Sequence, residues 1–143
     1  MGRVLGVDVG GRRVGLAISD PSGTIARPLE TLAVSGAADA VERVARRVDA
    51  IAAEEDGLAA IVVGLPAHLD GTASGTTASV VAFIDALRPR ITVPIVTEDE
   101  RLSSREAESR LAANERDWRR RKAKLDAAAA AVFLQDYLDR TLS

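Results

Sequence analysis

Arg3-Val4-Leu5-Gly6-Val7-Asp8-Val9-Gly10-Gly11-Arg12-Arg13-Val14-Gly15-Leu16-Ala17-Ile18-Ser19-Asp20 is the stretch from which the rest of the chain is read. Val4 to Val9 is apolar and largely β-branched except at Gly6 and Asp8, and Val14, Leu16 and Ile18 alternate with the small residues Gly15, Ala17 and Ser19. Alternation with period two marks a half-buried strand, and Gly10-Gly11 supplies a tight turn between two such strands. Asp8 is the exception in this pattern. It shares a face with Val4 and Gly6, and a carboxylate in a strand that reads as core must be satisfied. Gly6, with no side chain, is expected to leave room beside it. Two readings stand at this point: Asp8 bonds the turn amides or pairs with Arg12 or Arg13, or it does chemistry.

Working outward, a third strand is expected between Ile25 and Val34, entered or interrupted at Pro28, which suits an edge position. Three strands with short links make an antiparallel meander. Ala37 to Glu55 reads as a helix, with Val41, Val44, Ala45, Val48, Ile51 and Ala52 on one stripe. Glu42, Arg43, Arg46, Arg47 and Asp49 form its solvated faces, and Asp56-Gly57 stops it. Leu58 to Leu65 reads as a strand buried on both faces, closed by Gly64-Leu65-Pro66. After a loop with an Asp70-Gly71 turn, Ser74 or Thr76 caps a helix whose stripe is Val80, Ile84 and Leu87. Pro89 ends that helix, and Val93 to Thr97 is the fifth strand. Ser103 with Glu106 forms a capping box, so a helix is expected near Ser104. The last helix is expected from about Ala123 to Arg140. Asp126, Ala130, Phe133, Leu134 and Tyr137 lie on its core-facing stripe, and the Ala127–Ala131 run permits close approach to a sheet.

The order βββ-α-β-α-β-α-α implies an α/β fold. Its mixed five-stranded sheet combines a three-stranded antiparallel meander with two parallel strands, with helices on both faces. With 143 residues the chain reads as one domain, 1–143. It is 47% hydrophobic but only 3% aromatic, so the core is built from Val, Ile, Leu and Ala. Cysteine is absent, which removes disulfides and thiolate metal sites. No signal peptide or membrane-spanning stretch is visible, and a soluble cytoplasmic protein without a membrane partner is expected. A net charge of −2 means that any nucleic-acid binding must use a local patch.

Three carboxylates then draw attention. Asp8 lies inside the first strand. Glu100, or its neighbour Asp99, follows the fifth strand in the Glu98-Asp99-Glu100 cluster, where open α/β sheets place ligands. Asp126 heads the buried stripe of the last helix. Carboxylates gathered at one rim repel one another unless a cation sits between them. Hard Mg²⁺ or Mn²⁺ ions take oxygen ligands, and two such ions suit phosphodiester hydrolysis. The plainer readings are a macrodipole interaction for Asp126, an Arg101 partner for Glu100 and a surface place for Asp99. From Arg116 to Lys124, six of nine side chains are basic and surround Trp118. They read as a phosphate-binding patch with a stacking indole, or as a solvated loop whose Trp tucks into the core edge. His68, the only histidine, reads as loop polarity.

Gly6-Val7-Asp8-Val9-Gly10 continuing through Arg13, Gly15, Ala17 and Ser19-Asp20 resembles the N-terminal signature of the YqgF/RuvX family. Gly64-Leu65-Pro66 with Asp70-Gly71, Asp99-Glu100-Arg101-Leu102-Ser103, and Lys124-Leu125-Asp126-Ala127-Ala128-Ala129 with Leu134-Gln135-Asp136-Tyr137-Leu138 are similar to its later blocks, in order. The resemblance covers nearly the whole chain. It implies an RNase H-like fold and a metal-dependent nuclease, described both as a Holliday junction resolvase and as the enzyme that matures the 5′ end of pre-16S ribosomal RNA. It also implies that Asp8, Glu100 and Asp126 are the catalytic, metal-binding acids, and that Arg13, Arg101 and Lys124 face the substrate. Trp118 and Lys122 join them from the reading of the basic patch. Related junction resolvases carry an acid at the end of the fourth strand, where this chain has Gly64-Leu65-Pro66, so the middle carboxylate falls to Glu100. The expected partner is nucleic acid, either a structured RNA precursor or branched DNA, bound by a monomer or a homodimer; a two-fold junction favours a dimer. A competing reading is a ribosome-associated RNA-binding protein with vestigial activity.

Overall fold

In a computed structural model of the chain, residues 2–65, 75–99 and 118–142 are described. The N-terminal stretch forms strands β1 (Arg3–Val9) and β2 (Arg13–Ser19), paired antiparallel with Leu5 opposite Ile18 and Asp8 opposite Gly15. The Gly10 amide donates to the Arg13 carbonyl at 2.8 Å. A Cβ on Gly10 would come within 2.8 Å of that same oxygen, so the turn requires glycine there. Strand β3 (Ala26–Ala33) completes the meander. Its pairing shifts register between Leu16 and Ala17, where Pro28 stands opposite Ala17. β3 is an edge strand, which explains how it tolerates a proline.

Helix α1 (Ala37–Ala52) follows, then β4 (Leu58–Leu65), helix α2 (Gly75–Leu87), a 3-10 turn (Arg88–Arg90), β5 (Ile95–Asp99) and helix α3 (Trp118–Leu142). The sheet order is β3-β2-β1-β4-β5. β4 runs parallel to β1, with Val7 opposite Val63, and β5 runs parallel to β4, with Gly64 opposite Glu98. The expected mixed sheet, with its antiparallel meander and two parallel strands, is the one observed.

Several boundaries move. α1 ends at Ala52, short of the expected Glu55, and its carbonyls are closed by the Arg3 guanidinium. That group donates to Ile51 O at 3.3 Å and Gly57 O at 3.2 Å, and pairs with Glu54 at 2.8 Å. Gly57, at φ 63°, makes the left-handed turn into β4. Ala52 is exposed and Ala40 takes its place on the buried stripe. The fifth strand begins two residues later than expected and runs on through Glu98 to Asp99, so part of the acidic cluster is strand. The last helix starts at Trp118 rather than Ala123. Residues 118–124 of the basic stretch are therefore helical, and the loop reading fails for them. The Asp70-Gly71 turn, His68, the Ser74 cap and the helix near Ser104 lie outside the described residues.

The sheet separates two cores. On one face Leu5, Val7, Val14, Leu16, Ile18, Ile61 and Val63 pack against α1 and α2. On the other, Val4, Ala17 and Val62 pack against Ala130, Phe133, Leu134 and Leu138 of α3. The charged faces of α1 are held by ion pairs: Arg43 with Asp39, Arg46 with Glu42, Arg90 with Glu42 and Arg47 with Glu30. Among the described residues, no helix is long and apolar enough to cross a membrane.

Candidate nuclease site

Asp8 sits near the carboxyl end of β1, half-buried, on the sheet face crossed by α3. The placement follows from alternation. Leu5 and Val7 enter the α1/α2 core, whereas Val4 enters the α3 core and Gly6 lies directly beneath α3. Both strand positions that flank Asp8 are glycine. Gly15 is its partner on β2, and Gly64 on β4 lies one step beyond the Val7–Val63 pair. No side chain from either neighbouring strand crowds the carboxylate at this row. Asp8 and Arg13 are each engaged in further polar interactions.

Gly6 does something other than make room for the carboxylate. A Cβ there would lie 3.1 Å from the Ala130 carbonyl oxygen and 3.1 Å from Leu134 Cβ. Its missing side chain lets α3 settle on the sheet, so the space beside it belongs to the helix. The alanine run of α3 is the matching half of that contact, with Ala127, Ala129 and Ala130 buried.

Asp126 occupies the helix position one turn before Ala130. Trp118, Lys122 and Lys124 are in the first two turns of the same helix. The side chains of these four residues, and Glu100 and Arg101 altogether, lie outside the described residues. Asp99 is the last residue of β5, opposite Leu65. The structure therefore puts Asp8 and Arg13 at one end of the β1–β2 hairpin, and puts Asp126 on the helix that passes over it. Among the described residues, no group of three acidic, imidazole or thiol side chains stands ready to hold a metal ion.

Sequence reasoning overlooked Glu98. The sequence pattern ends the fifth strand at Thr97 and leaves Glu98 beyond it, but Glu98 is the penultimate residue of β5 and only 6% exposed. Its carboxylate receives both terminal nitrogens of the Arg140 guanidinium near the carboxyl end of α3. Nη1 donates to Oε1 at 2.6 Å and Nη2 donates to Oε2. The carboxylate holds the Arg140 guanidinium protonated above its ordinary range. Across the sheet, Gln135 of α3 makes a second anchor. Its Oε1 accepts from the Ala26 amide at 2.9 Å and its Nε2 donates to the Thr24 carbonyl at 2.9 Å. The loop before β3 is closed by Asp20, whose Oδ1 accepts from the amides of Thr24 at 2.7 Å and Ile25 at 2.9 Å. These bonds, led by that of Ile25, pull the Asp20 carboxyl down to about 2.

The β3-β2-β1-β4-β5 sheet, an antiparallel meander extended by two parallel strands with helices on both faces, defines the class of fold. It is the RNase H-like fold of the RuvC nucleases. The solved structure of Thermus thermophilus RuvC with a Holliday junction superposes with a TM-score of 0.58 at 19% identity, covering 100% of this chain and 97% of that one. Thermus thermophilus RuvC in another structure gives 0.53 at 18% identity, covering 98% and 96%.

Within that class the chain belongs to the RuvX family, whose model, described as "Holliday junction resolvase", matches residues 2–140. Curated relatives span nearly the whole chain. A Roseiflexus protein is 37% identical over 138 residues, 96% of this chain and 94% of the relative. A Leifsonia xyli protein is 42% identical over 135 residues, 94% and 84% respectively. A Desulforamulus reducens protein is 39% identical over 137 residues, 96% of each. All three carry the name "Putative pre-16S rRNA nuclease". The family is one of nucleases, hydrolases acting on phosphodiester bonds, and its substrate is nucleic acid.

Proposed function

We propose that this chain is a cytoplasmic, metal-dependent endonuclease that hydrolyses phosphodiester bonds in the 5′-end processing of pre-16S ribosomal RNA. The single observation that carries this reading is Asp8, a carboxylate set between two glycine positions on the face that α3 crosses. A core strand keeps a carboxylate only where a partner offsets its desolvation. Asp8 of β1, Asp126 of α3 and Glu100, which follows β5 in the sequence, are the proposed catalytic acids of one domain spanning 1–143.

The donor chemistry fits hard divalent ions. Carboxylate oxygens, with no thiol in the chain and a single histidine in the whole sequence, suit Mg²⁺ or Mn²⁺. Asp8, Glu100 and Asp126 would hold two such ions. When bound, the ions supply activation of water and stabilisation of the leaving oxygen. The remaining work belongs to the chain. Asp8 is held by two strands, so its position costs little to maintain. Arg13, Arg101 and Lys124 neutralise the scissile and neighbouring phosphates. Trp118 and Lys122, on the first turns of α3, are the proposed additions to that contact, the lysine with phosphate and the tryptophan by stacking on a base.

Cleavage of a four-way DNA junction is the second reading, favoured by the description of the family model and by the RuvC fold. A symmetric junction calls for a two-fold dimer, whereas trimming one RNA end needs only a monomer. The deciding experiment offers labelled pre-16S RNA and, separately, a four-way DNA junction, each with Mg²⁺, Mn²⁺ or chelator. The parent protein is compared with Asp8→Asn and Asp126→Asn. RNA cleavage that needs metal and both acids is the expected result. Paired symmetric cuts in the junction move the assignment to recombination. Binding of RNA without cleavage, unchanged by either substitution, would leave a ribosome-associated binding protein.

A further inference from the structure

Glu98 is the one charged side chain that is buried among the described residues. The catalytic reading leaves it without a role. It projects from the edge strand β5 on the α3 face, opposite Gly64, in the sheet row that also contains Asp8 and Gly15. Its two-pronged bond to Arg140 ties the last turns of α3 to one edge of the sheet. Gln135 ties the same helix to the loop and first residue of β3, the opposite edge.

Ahead of both anchors α3 rests on alanines, Phe133 and Leu134, over Gly6, and between them Leu138 packs into the same core. Contact of this kind is strong but non-directional. The alanine turns 127–130, which lead to Asp126, add little side-chain interlock of their own against rotation or tilt. The anchors do resist them. Arg140 is five residues beyond Gln135, which places it about 7.5 Å further along the helix and about 140° around it. A helix held at two such points cannot turn or slide without breaking one of them.

We propose that Glu98 and Arg140 are a positioning pair for the nuclease site: their bond sets the tilt of α3, and with it the placement of Asp126 relative to Asp8. This rests on the catalytic reading of those two acids. The lever is short and sensitive. A tilt of about 10° pivoting at Ala130 moves the Asp126 backbone, one turn away, by about 1 Å. A displacement of that size in a catalytic group lowers turnover on the order of a hundredfold. The pair touches neither substrate nor reacting atoms in this account. It acts through the helix.

The test uses the full chain and four variants: Arg140→Leu, Glu98→Gln, Arg140→Lys and Val44→Ala. The last weakens the α1/α2 core on the far face and serves as a control for lost stability. Melting temperature, single-turnover rate and apparent KM on pre-16S RNA are measured, together with the affinity for Mn²⁺ alone by electron paramagnetic resonance. The expected result is a ten- to hundredfold fall in rate for Arg140→Leu and Glu98→Gln. KM stays within about twofold, Mn²⁺ binding weakens several-fold, and Arg140→Lys recovers part of both. Val44→Ala lowers the melting temperature and leaves rate and Mn²⁺ affinity in place. Anchor variants that lose no more rate than Val44→Ala at equal loss of stability would overturn the proposal. Asp8→Asn, run alongside, separates the two levels. If it is inactive while the anchor variants cleave normally, the positioning pair alone is wrong. If Asp8→Asn cleaves as the parent does, the catalytic reading falls and the positioning pair falls with it.

Discussion

Leu5, Val7, Val14 and Leu16 meet α1 and α2 on one face of the sheet, whereas Gly6, Asp8, Gly15 and Ala17 occupy the same strands on the face crossed by α3. The first set is fully buried and branched or bulky. The second is small or charged. On the first face, side chains fill the space between sheet and helices, and stability comes from volume and apolar area. On the second, the side chains retreat so that α3 can come down onto the backbone, and what remains of the row is a carboxylate. Polar anchors on the edge strands then hold the helix where packing alone is permissive. Neighbouring residues of one strand thus serve different ends, since period-two geometry sends them to opposite faces.

Val7 and Asp8, neighbours on opposite faces of β1, should respond to substitution in opposite ways. Asp8→Asn is expected to lower the single-turnover rate on pre-16S RNA by about a thousandfold or more, with a melting temperature close to the parent's. Val7→Ala is expected to do the reverse, costing about 2 kcal/mol in urea unfolding while the folded protein still cleaves. Two variants that both lose activity in proportion to stability would show that the faces are not divided in this way.

Phe133 and Leu16 compare the two cores directly. Both are fully buried. Phe133→Ala should cost about 3–5 kcal/mol and Leu16→Ala about 2–5 kcal/mol by denaturant unfolding. Phe133 is the largest fully buried side chain of the α3 core, beside Leu134 and Leu138. Its loss should therefore also loosen the helix, seen as faster amide exchange in α3 than in α1. Equal exchange in both helices would count against a separate α3 core.

Gly6→Ala probes the close approach itself. The new methyl would press on the Ala130 carbonyl and Leu134, and overpacking of this kind costs about 1–3 kcal/mol. Gly11, with nothing within 4 Å of an added Cβ, should accept alanine with little change, measured in the same unfolding series. The contrast is informative because both glycines belong to the one hairpin.

The smallest effect is expected at Asp20. Its carboxyl titrates at about 2 in the folded chain against an ordinary 3.8. A carboxyl lowered on folding adds stability above its unfolded pKa and loses it as pH falls through the folded value. Unfolding experiments from pH 5 to pH 2 should show this contribution complete at the upper end and fading below about pH 4. Asp20→Asn should flatten that part of the profile. An unchanged profile would mean that the loop bonds do not persist in solution.

Much of this architecture is legible in one dimension. Alternation in Val4–Val9 and Val14–Ile18, the apolar run of β4 and the three-and-four spacing of α1 and α2 yield the meander, the parallel strands and both helix stripes. Asp8 stands out for a local reason: it interrupts an apolar strand. The acidic run 98–100 misleads for an equally local one. Three acids in a row look solvated, and nothing nearby in sequence shows that Glu98 faces inward to meet a guanidinium 42 residues away. Gly6 is similar. A gap in a strand can serve a neighbouring carboxylate or an arriving helix, and the choice lies with Ala130 and Leu134.

Periodicity, turn chemistry and composition act over a few residues, so the order of strands, the amphipathic stripes and the position of the first acid are already settled along the chain. The seating of α3, the burial of Glu98 and the two anchors arise from contacts between residues far apart in sequence. Those contacts exist only after the sheet has formed and twisted, because the helix is placed by the shape and donors of a surface assembled from five separate strands.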